Sequence, residues 1–187
     1  MRVVGGRLGG RILKTPASRA IRPTSERLRE SIFDILAHAY GDPVVGARVI
    51  DLFAGSGALG IEALSRGAIF ALFVDEGAEA RALLRANVEA FGLAATTRIW
   101  RWDATRLGKA SALYSLAFLD PPYGEDLAGP ALAALVEGGW LAPGAIVVVE
   151  EKARATIEAP GGLRLAEERV YGDTKIAIYV AEGTNGK

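Results

Sequence analysis

The stretch VIDLFAGSGALGIEAL, residues 49–64, joins a strand-length apolar run to a helical pattern through a glycine turn. Gly55, Gly57 and Gly60 have the spacing GxGxxG, which lets the backbone approach a ligand closely between a strand and a helix. Asp75 ends the next apolar run, where a carboxylate can accept hydrogen bonds from two ribose hydroxyls. We therefore expect an α/β domain with an adenosine-containing cofactor. The glycines alone leave NAD, other such cofactors and a purely structural turn as alternatives.

Strand-length apolar runs alternate with helical stretches over most of the chain. The runs cover 49–54, 69–74, 97–102, 116–120 and 145–150, and the helical stretches cover 58–66, 78–91, 104–112 and 129–137. Continuous apolar strands joined by helices are typical of a parallel sheet buried on both faces. The chain ends differently, because the strand patterns 164–171 and 175–181 are joined through Gly172 and Asp173 with no room for a helix. This spacing predicts an antiparallel hairpin at one edge of the sheet.

The N-terminal segment is basic and interrupted by glycines. The first 30 residues hold eight basic and two acidic side chains, so they carry +6 and the rest of the chain −6. A basic arm on an acidic body favours a polyanionic partner over a merely solvated tail. We expect residues 1–23 to form a basic N-terminal hairpin extension, 24–182 the main domain and 183–187 a frayed tail. Within the domain, Thr24 or Ser25 can cap a first amphipathic helix.

Composition excludes several classes of protein. The 187 residues suit one domain with a sizeable core. The absence of cysteine excludes disulfides and thiolate metal sites, and the single histidine, His38, argues against a zinc or triad enzyme, so we predict no metal. No apolar run reaches the roughly 20 residues of a membrane helix, and the N-terminus lacks the apolar centre of a signal peptide. We expect a cytoplasmic, monomeric protein without membrane contacts.

Two further carboxylates separate the candidate cofactors. Asp51 precedes the first glycine by four residues, where its charge would repel a pyrophosphate and attract an amine. Asp103 follows the third strand, next to Trp102, where it can accept from an adenine amino group. Three acids at the ends of three successive strands match the ammonium, ribose and adenine of S-adenosylmethionine. In this respect the chain resembles Rossmann-like S-adenosylmethionine methyltransferases, which implies a seven-stranded sheet of order 3-2-1-4-5-7-6 with strand 7 antiparallel.

The stretch SLAFLDPPYGED, residues 115–126, ends the fourth strand with an acid, two prolines and an aromatic ring. Pro121 and Pro122 fix φ and stiffen the loop. DPPY resembles the motif of methyltransferases that modify exocyclic amino groups. Asp120 and the Pro121 carbonyl can each accept one N–H of such a group, and Tyr123 can stack on its ring. A stacked base contributes about 1–3 kcal/mol, and aligned reactants save roughly 7–11 kcal/mol.

Several segments together resemble the RsmD-type family, whose members methylate guanine N2 in small-subunit (16S) ribosomal RNA. They are MRVVGGRLGGRILKTP, IRPTSERLRESIFDIL, DLFAGSGALGIEALSRGA, LDPPYGE and YGDTKIAIY. The resemblance implies three sets of site residues: Asp51, Phe53, Gly55, Gly57, Asp75 and Asp103 for S-adenosylmethionine; Asp120, Pro121, Pro122 and Tyr123 for catalysis on the guanine; and Arg7, Arg11, Arg22 and Arg27 for RNA. It also implies 16S rRNA as partner, within an assembling or assembled small subunit. Glu76 follows Asp75, so their roles could be exchanged.

Three alternatives stay open from the residues alone. One is an amino-methyltransferase that acts on adenine or on cytosine N4 in DNA. Another is an NAD-linked oxidoreductase, although no acid–base pair for a nicotinamide is apparent. The third is an RNA-binding module that kept the methyltransferase fold without activity, against which the intact DPPY motif argues.

Overall fold

The computed structural model describes residues 1–15 and 25–183. Its helices are α1 (Glu26–Ala39), α2 (Ala58–Ser65), α3 (Ala78–Ala90) and α4 (Ala128–Glu137). Its strands are β1 (Arg48–Leu52), β2 (Phe70–Val74), β3 (Thr97–Trp100), β4 (Tyr114–Leu119), β5 (Leu141–Lys152), β6 (Leu163–Tyr171) and β7 (Thr174–Ala181). The Ser25 side chain caps α1 by accepting the backbone N–H of Leu28 at 3.1 Å.

The seven strands form one sheet of order β3-β2-β1-β4-β5-β7-β6. Strands β1 to β5 are parallel to one another, while β7 is antiparallel to both β5 and β6. The predicted order, the antiparallel strand 7 and the terminal hairpin are thereby confirmed. In a parallel sheet of this kind ligands bind beyond the carboxyl ends of the strands, at the point where the order reverses, here between β1 and β4.

The central strands β1, β2 and β4 bury both of their faces, as their continuous apolar composition requires. Val49, Leu116 and Phe118 point into one core, together with α1, α2 and α3. Ile50 and Ala117 point into a second core on the opposite face, which contains α4 and Trp140. The sheet is thus the middle layer of an α/β sandwich.

The N-terminal arm, residues 1–15, packs against the domain. Its hairpin is reduced to a single antiparallel bridge between Arg2 and Ile12, with a 3₁₀ turn at Gly6–Leu8 in place of regular strands. Val3, Leu8 and Leu13 are buried in the core that holds α1 and α2. The arm is therefore part of the packed structure.

Buried polar groups fix the arm further. The Glu62 carboxylate on α2 accepts the backbone N–H groups of Val4 at 2.8 Å and Gly5 at 2.7 Å, and it pairs with Arg66 at 2.9 Å. The Arg29 guanidinium lies 3.9 Å from the same carboxylate, and its burial lowers the arginine pKa although Glu62 opposes that shift.

Asn87, a fully buried residue of α3, joins the arm to the glycine turn. Its side-chain oxygen accepts the backbone N–H of Lys14 at 2.9 Å. Its amide nitrogen donates to the carbonyls of Lys14 at 3.0 Å and of Ser56 at 2.9 Å. A single side chain therefore connects the end of the arm to the turn between β1 and α2.

The helix predicted near residues 104–112 is absent, and this segment is a loop. Its apolar side chains Ala104 and Leu107 are buried, and their separation of three positions is the same as on one face of a helix. Gly108, however, has φ of 70°, and its carbonyl accepts the indole N–H of Trp140 at 3.0 Å. The tertiary contact with Trp140, which precedes β5, thus outweighs the helical pattern of residues 104–112.

Some of the predicted residues cannot be placed, and the prediction about membrane helices can be checked only over the described ranges. Arg22 and Thr24 lie outside the described residues, as do positions 184–187 of the predicted tail. Across residues 1–15 and 25–183, every helix is too short or too polar to cross a bilayer.

Candidate active site

The carboxyl ends of four neighbouring strands meet at one edge of the sheet. The register pairs Leu52 with both Val74 and Leu119, and Leu119 with Val149. The residues that follow these positions are, in sheet order, Asp75, Phe53, Asp120 and Glu150. The fold therefore brings together side chains that are up to 97 positions apart in the sequence.

A cavity of about 730 Å³ lies at this edge, within the range of about 300–1,000 Å³ typical of small-molecule sites. Six acidic residues line it: Asp51, Asp75, Glu76, Glu79, Asp120 and Glu125. Among the described residues that line the cavity, none is lysine, arginine or histidine. The negative charge of this lining favours a cationic ligand over a pyrophosphate.

Asp51 lies at the floor of the cavity and is only 2% exposed. Burial raises the pKa of its carboxyl group to about 8; the Gly60 N–H opposes this shift and the nearby charge of Asp75 adds to it. The Asp51 Oδ2 atom accepts the N–H of Gly60 at 2.9 Å. A buried carboxyl group that faces a cavity has most to gain from a cationic partner.

The glycine turn holds an unusual backbone. Phe53 has φ of 59°, a left-handed conformation that a bulky residue rarely adopts, and it lines the cavity. Gly55 also lines the cavity. Gly57 does not; it precedes α2 with φ of 80°, and a Cβ there would lie 2.3 Å from the Leu84 side chain. Gly57 is thus required by packing, whereas Gly55 faces the ligand space.

Asp75, which follows the neighbouring strand β2, holds the glycine turn through hydrogen bonds. Its two oxygens accept backbone N–H groups, Oδ2 from Gly55 at 2.9 Å and Oδ1 from Gly77 at 2.7 Å. The Arg81 guanidinium donates to the Asp75 carbonyl at 3.0 Å, which holds the acidic segment in place. Glu76 is exposed and lines the cavity as well, so both predicted ribose acids are at the site.

Asp103 lies outside the cavity lining. Its Oδ1 atom accepts the Thr105 N–H at 2.8 Å and the Thr105 hydroxyl at 2.6 Å, and these bonds lower the carboxyl pKa. Trp102, in contrast, lines the cavity while 48% exposed, and its indole N–H donates to the Arg106 carbonyl at 2.7 Å. The residues that face the ligand space after β3 are therefore Trp102 and Ala104.

All four residues of the DPPY motif line the same cavity as Asp51 and Asp75. Pro121 is buried and Pro122 exposed, and Asp120 is partly buried at the end of β4. The Tyr123 hydroxyl donates to Glu150 Oε1 at 3.2 Å and lies 3.0 Å from Thr174 Oγ1. Burial raises the pKa of Tyr123 to about 12, with the charges of Glu150 and Asp120 adding to the shift.

Sequence reasoning missed three residues around Tyr123. Glu150 and Thr174 bind its hydroxyl, and the Lys152 ammonium lies 5.9 Å from the centre of its ring. Glu150 ends the apolar run 145–150, and this signal could have found it, because parallel strands end at one edge of the sheet. Thr174 carries no such signal, since only the pairing of β7 with β5 brings it there.

The described arginines of the predicted RNA set lie on the surface. Arg7, Arg11 and Arg27 are exposed and none lines the cavity. Arg11 also donates to the Ala90 carbonyl and lies 4.5 Å over the Phe91 ring, which anchors it to α3. Arg22 is the fourth member of the set, outside the described residues.

Comparison with known proteins places the chain in a family. A family model described as conserved hypothetical protein 95 matches residues 1–180. The chain belongs to this family. The finding confirms the RsmD-type resemblance of the arm and the DPPY segment, because a family relative from Escherichia coli is named ribosomal RNA small subunit methyltransferase D.

Relatives of the family match along nearly the whole chain. The Escherichia coli relative is 33% identical over 184 residues, covering 97% of this chain and 90% of its own length. The candidate rRNA methyltransferase YlbH of Bacillus subtilis is 37% identical over 188 residues, covering 98% of this chain and all of its own. A solved Escherichia coli structure, the candidate methyltransferase yhhF, is 31% identical with a TM-score of 0.84 and covers 98% of this chain and 99% of its own. The fold is that of S-adenosylmethionine-dependent methyltransferases.

Proposed function

We propose that this protein transfers a methyl group from S-adenosylmethionine to the exocyclic N2 amino group of a guanine in 16S rRNA of the small ribosomal subunit. The observation that carries the proposal is the single cavity that contains both the buried Asp51 and the DPPY motif. The acidic residues of its lining suit a cationic nucleoside, and the DPPY residues suit a flat base with an amino group. Family membership supports the RNA substrate, since a relative is named as a small-subunit rRNA methyltransferase.

The chain's residues fit S-adenosylmethionine. Asp51 gives a buried carboxyl group for the ammonium, Asp75 or Glu76 an acceptor for the ribose, and Gly55 a close backbone approach. The six carboxylates of the lining fit a ligand that carries a sulfonium and an ammonium and no phosphate. When bound, this cosubstrate supplies an electrophilic methyl group. Asp103 does not line the cavity and its Oδ1 atom is held by Thr105, so its role at the adenine stays a prediction.

The DPPY residues orient the amino group. A guanine NH₂ is a weak nucleophile because its lone pair is delocalised into the ring. Asp120 and the Pro121 carbonyl accept its two N–H groups and so turn the lone pair towards the methyl group. The hydrogen bond to the charged Asp120 contributes about 1.5–3 kcal/mol and the bond to the neutral carbonyl about 0.5–1.5 kcal/mol, and alignment contributes more. The nitrogen becomes acidic once methylated, so its proton is lost after transfer without a base tuned to neutral pH.

The basic arm binds the RNA around the target. Arg7 and Arg27 are exposed and lie in the basic N-terminal part of the chain, whereas the cavity is acidic. The arm therefore holds phosphates while the flipped guanine enters the cavity, as base-modifying enzymes require. We further propose that the protein acts in the cytoplasm as a monomer.

The test is methylation of small subunits and of naked 16S rRNA isolated from a strain that lacks this protein, with labelled S-adenosylmethionine. Nucleoside analysis should find N2-methylguanosine in the RNA after reaction with the wild-type protein. N6-methyladenine or N4-methylcytosine would favour the alternative amino-methyltransferases instead. Binding of NADH in preference to S-adenosylhomocysteine, with no transfer to any RNA, would refute the proposal.

A further inference from the structure

The aromatic ring that is to stack on the base is anchored by residues from two other strands. The Tyr123 hydroxyl donates to Glu150 Oε1 at 3.2 Å, and Thr174 Oγ1 lies 3.0 Å from the same phenolic oxygen. A hydroxyl has one proton to donate, so the Thr174 hydroxyl donates to the Tyr123 oxygen. The result is a directed chain of hydrogen bonds from Thr174 through Tyr123 to Glu150.

The two anchors are themselves rigid. Glu150 and Thr174 are buried, and each belongs to a strand of the central sheet. The β5–β7 pairing places them close together, because Lys152, two residues after Glu150, pairs with Thr174. A loop of two prolines and a glycine thus presents its ring at a point that the sheet determines.

Lys152 limits the ring on one face. Its ammonium lies 5.9 Å from the ring centre, within the distance of a cation–π contact, and it does not line the cavity. The base is therefore left with the other face of the ring. The hydrogen bonds of the hydroxyl, the lysine on one face of the ring and the stiff loop together define one orientation of Tyr123.

Resting on the proposed function, we infer that Thr174 and Glu150 are positioning residues for methyl transfer: by holding the Tyr123 hydroxyl they set the plane in which the base presents its amino group. Neither residue needs to touch the reacting atoms. Stacking survives without the anchor, since a phenylalanine ring has the same face. Without the hydrogen bonds, however, the Tyr123 ring is no longer held in one orientation, and methyl transfer depends on the alignment of the amino group with the methyl group.

The activity test is a double-mutant cycle of Tyr123→Phe and Thr174→Val. Each single variant should lower kcat for methyl transfer about 5- to 20-fold and leave KM for RNA within about twofold, because stacking is kept and alignment is lost. The double variant should be no slower than Tyr123→Phe alone, because that change already removes the bond to Thr174. Glu150→Gln, which keeps an acceptor oxygen, should lose less than Glu150→Ala.

The matched control is Thr97→Val. Thr97 is also a buried strand threonine, and its hydroxyl donates to the Leu93 carbonyl at 3.0 Å, but it begins β3 at the opposite edge of the sheet. This variant should lose stability and keep kcat. Full kcat in Thr174→Val, or single effects that multiply in the double variant, would overturn the inference.

A spectroscopic measurement separates this inference from the proposed function. The protein has five tyrosines, so labelling with 3-fluorotyrosine gives five ¹⁹F resonances, and Tyr123→Phe identifies that of Tyr123. The resonance should shift or broaden in Thr174→Val and stay unchanged in Thr97→Val. A wild-type protein without RNA methylation would refute the proposed function alone, whereas an unmoved resonance would refute the anchor whatever the activity.

Discussion

The Asp51 Oδ2 atom accepts the N–H of Gly60 at 2.9 Å, and this bond fastens β1 to the helix that follows the glycine turn. The carboxyl group is buried, and burial raises its pKa to about 8. Without a ligand, Asp51 is therefore mostly protonated at neutral pH. A cationic group in the cavity would bind to the ionised form and shift this equilibrium.

Cofactor affinity should depend on pH. Below pH 8 a proton must leave Asp51 when an ammonium binds, so the affinity for S-adenosylhomocysteine should rise between pH 6 and pH 8, by up to about tenfold per unit. Calorimetry in buffers of different ionisation enthalpy should detect proton release near pH 7. Asp51→Asn should bind more weakly and without pH dependence. Affinity of the wild-type protein that stays level over this range would contradict the assignment.

The same carboxyl group should lower the stability of the free protein. Its pKa is about 8 when folded and near 3.8 when unfolded, so the folded state holds the extra proton between these values. Stability should fall as pH rises from about 4 to 8 and then level off. At pH 8 Asp51→Asn should be more stable than wild type by about 1–3 kcal/mol, because its amide oxygen still accepts from Gly60 and carries no buried charge. Urea unfolding at pH 4 and pH 8 measures the difference, which should vanish at pH 4.

Asp120→Asn should separate chemistry from binding. An amide oxygen in place of the carboxylate accepts one N–H weakly, so kcat should fall by about 100-fold or more while S-adenosylhomocysteine affinity changes less than threefold. The measurement is single-turnover methylation of RNA beside calorimetric titration. The control is Asp126→Asn on the same loop, an exposed residue with φ of 51° that asparagine tolerates and that does not line the cavity. Equal rates in the two variants would remove Asp120 from the reaction.

The order of the sheet was implied by the resemblance to Rossmann-like S-adenosylmethionine methyltransferases, whereas the alternation of strands and helices could be predicted because strand-length apolar runs and glycine turns are local signals. The same is true of Asp51, Asp75 and Asp120, which end strands that must meet at one edge. The helix predicted over residues 104–112 was wrong, because the hydrogen bonds of Gly108 and Trp140 are tertiary. Thr174 stayed hidden for the same reason, since antiparallel pairing brings it 51 positions back to Tyr123.

Arg7 should contribute to RNA binding through charge alone. It is exposed, and Arg7→Gln should weaken RNA binding and reduce the salt dependence of the affinity by about one phosphate contact. The matched control, Arg164→Gln, changes an exposed arginine on β6, at the far edge of the sheet. Filter binding at several salt concentrations compares the two. Equal slopes for the variants and the wild-type protein would place the RNA elsewhere.

Glu62→Gln should loosen the arm. The change removes the charge that binds Arg66 at 2.9 Å and leaves one oxygen for the N–H groups of Val4 and Gly5. Breaking a buried ion pair of this kind costs about 3 kcal/mol or more, so the melting temperature should fall by about 5–10 °C. Hydrogen exchange at the Val4 and Gly5 amides should become faster. Glu89→Gln, an exposed change on α3, should alter neither property.

The contacts of the Asn87 side chain limit how this chain can be truncated or joined to segments of a homologue. This side chain binds the backbone N–H and carbonyl of Lys14 together with the Ser56 carbonyl, so deleting the first fifteen residues would leave polar atoms of Asn87 unsatisfied beneath the glycine turn. On the proposed function, a chain without residues 1–15 should therefore bind S-adenosylhomocysteine more weakly as well as RNA. For chimeras between homologues, a junction after Thr15 is a poor choice: the leading segment and α3 have to be exchanged as one piece.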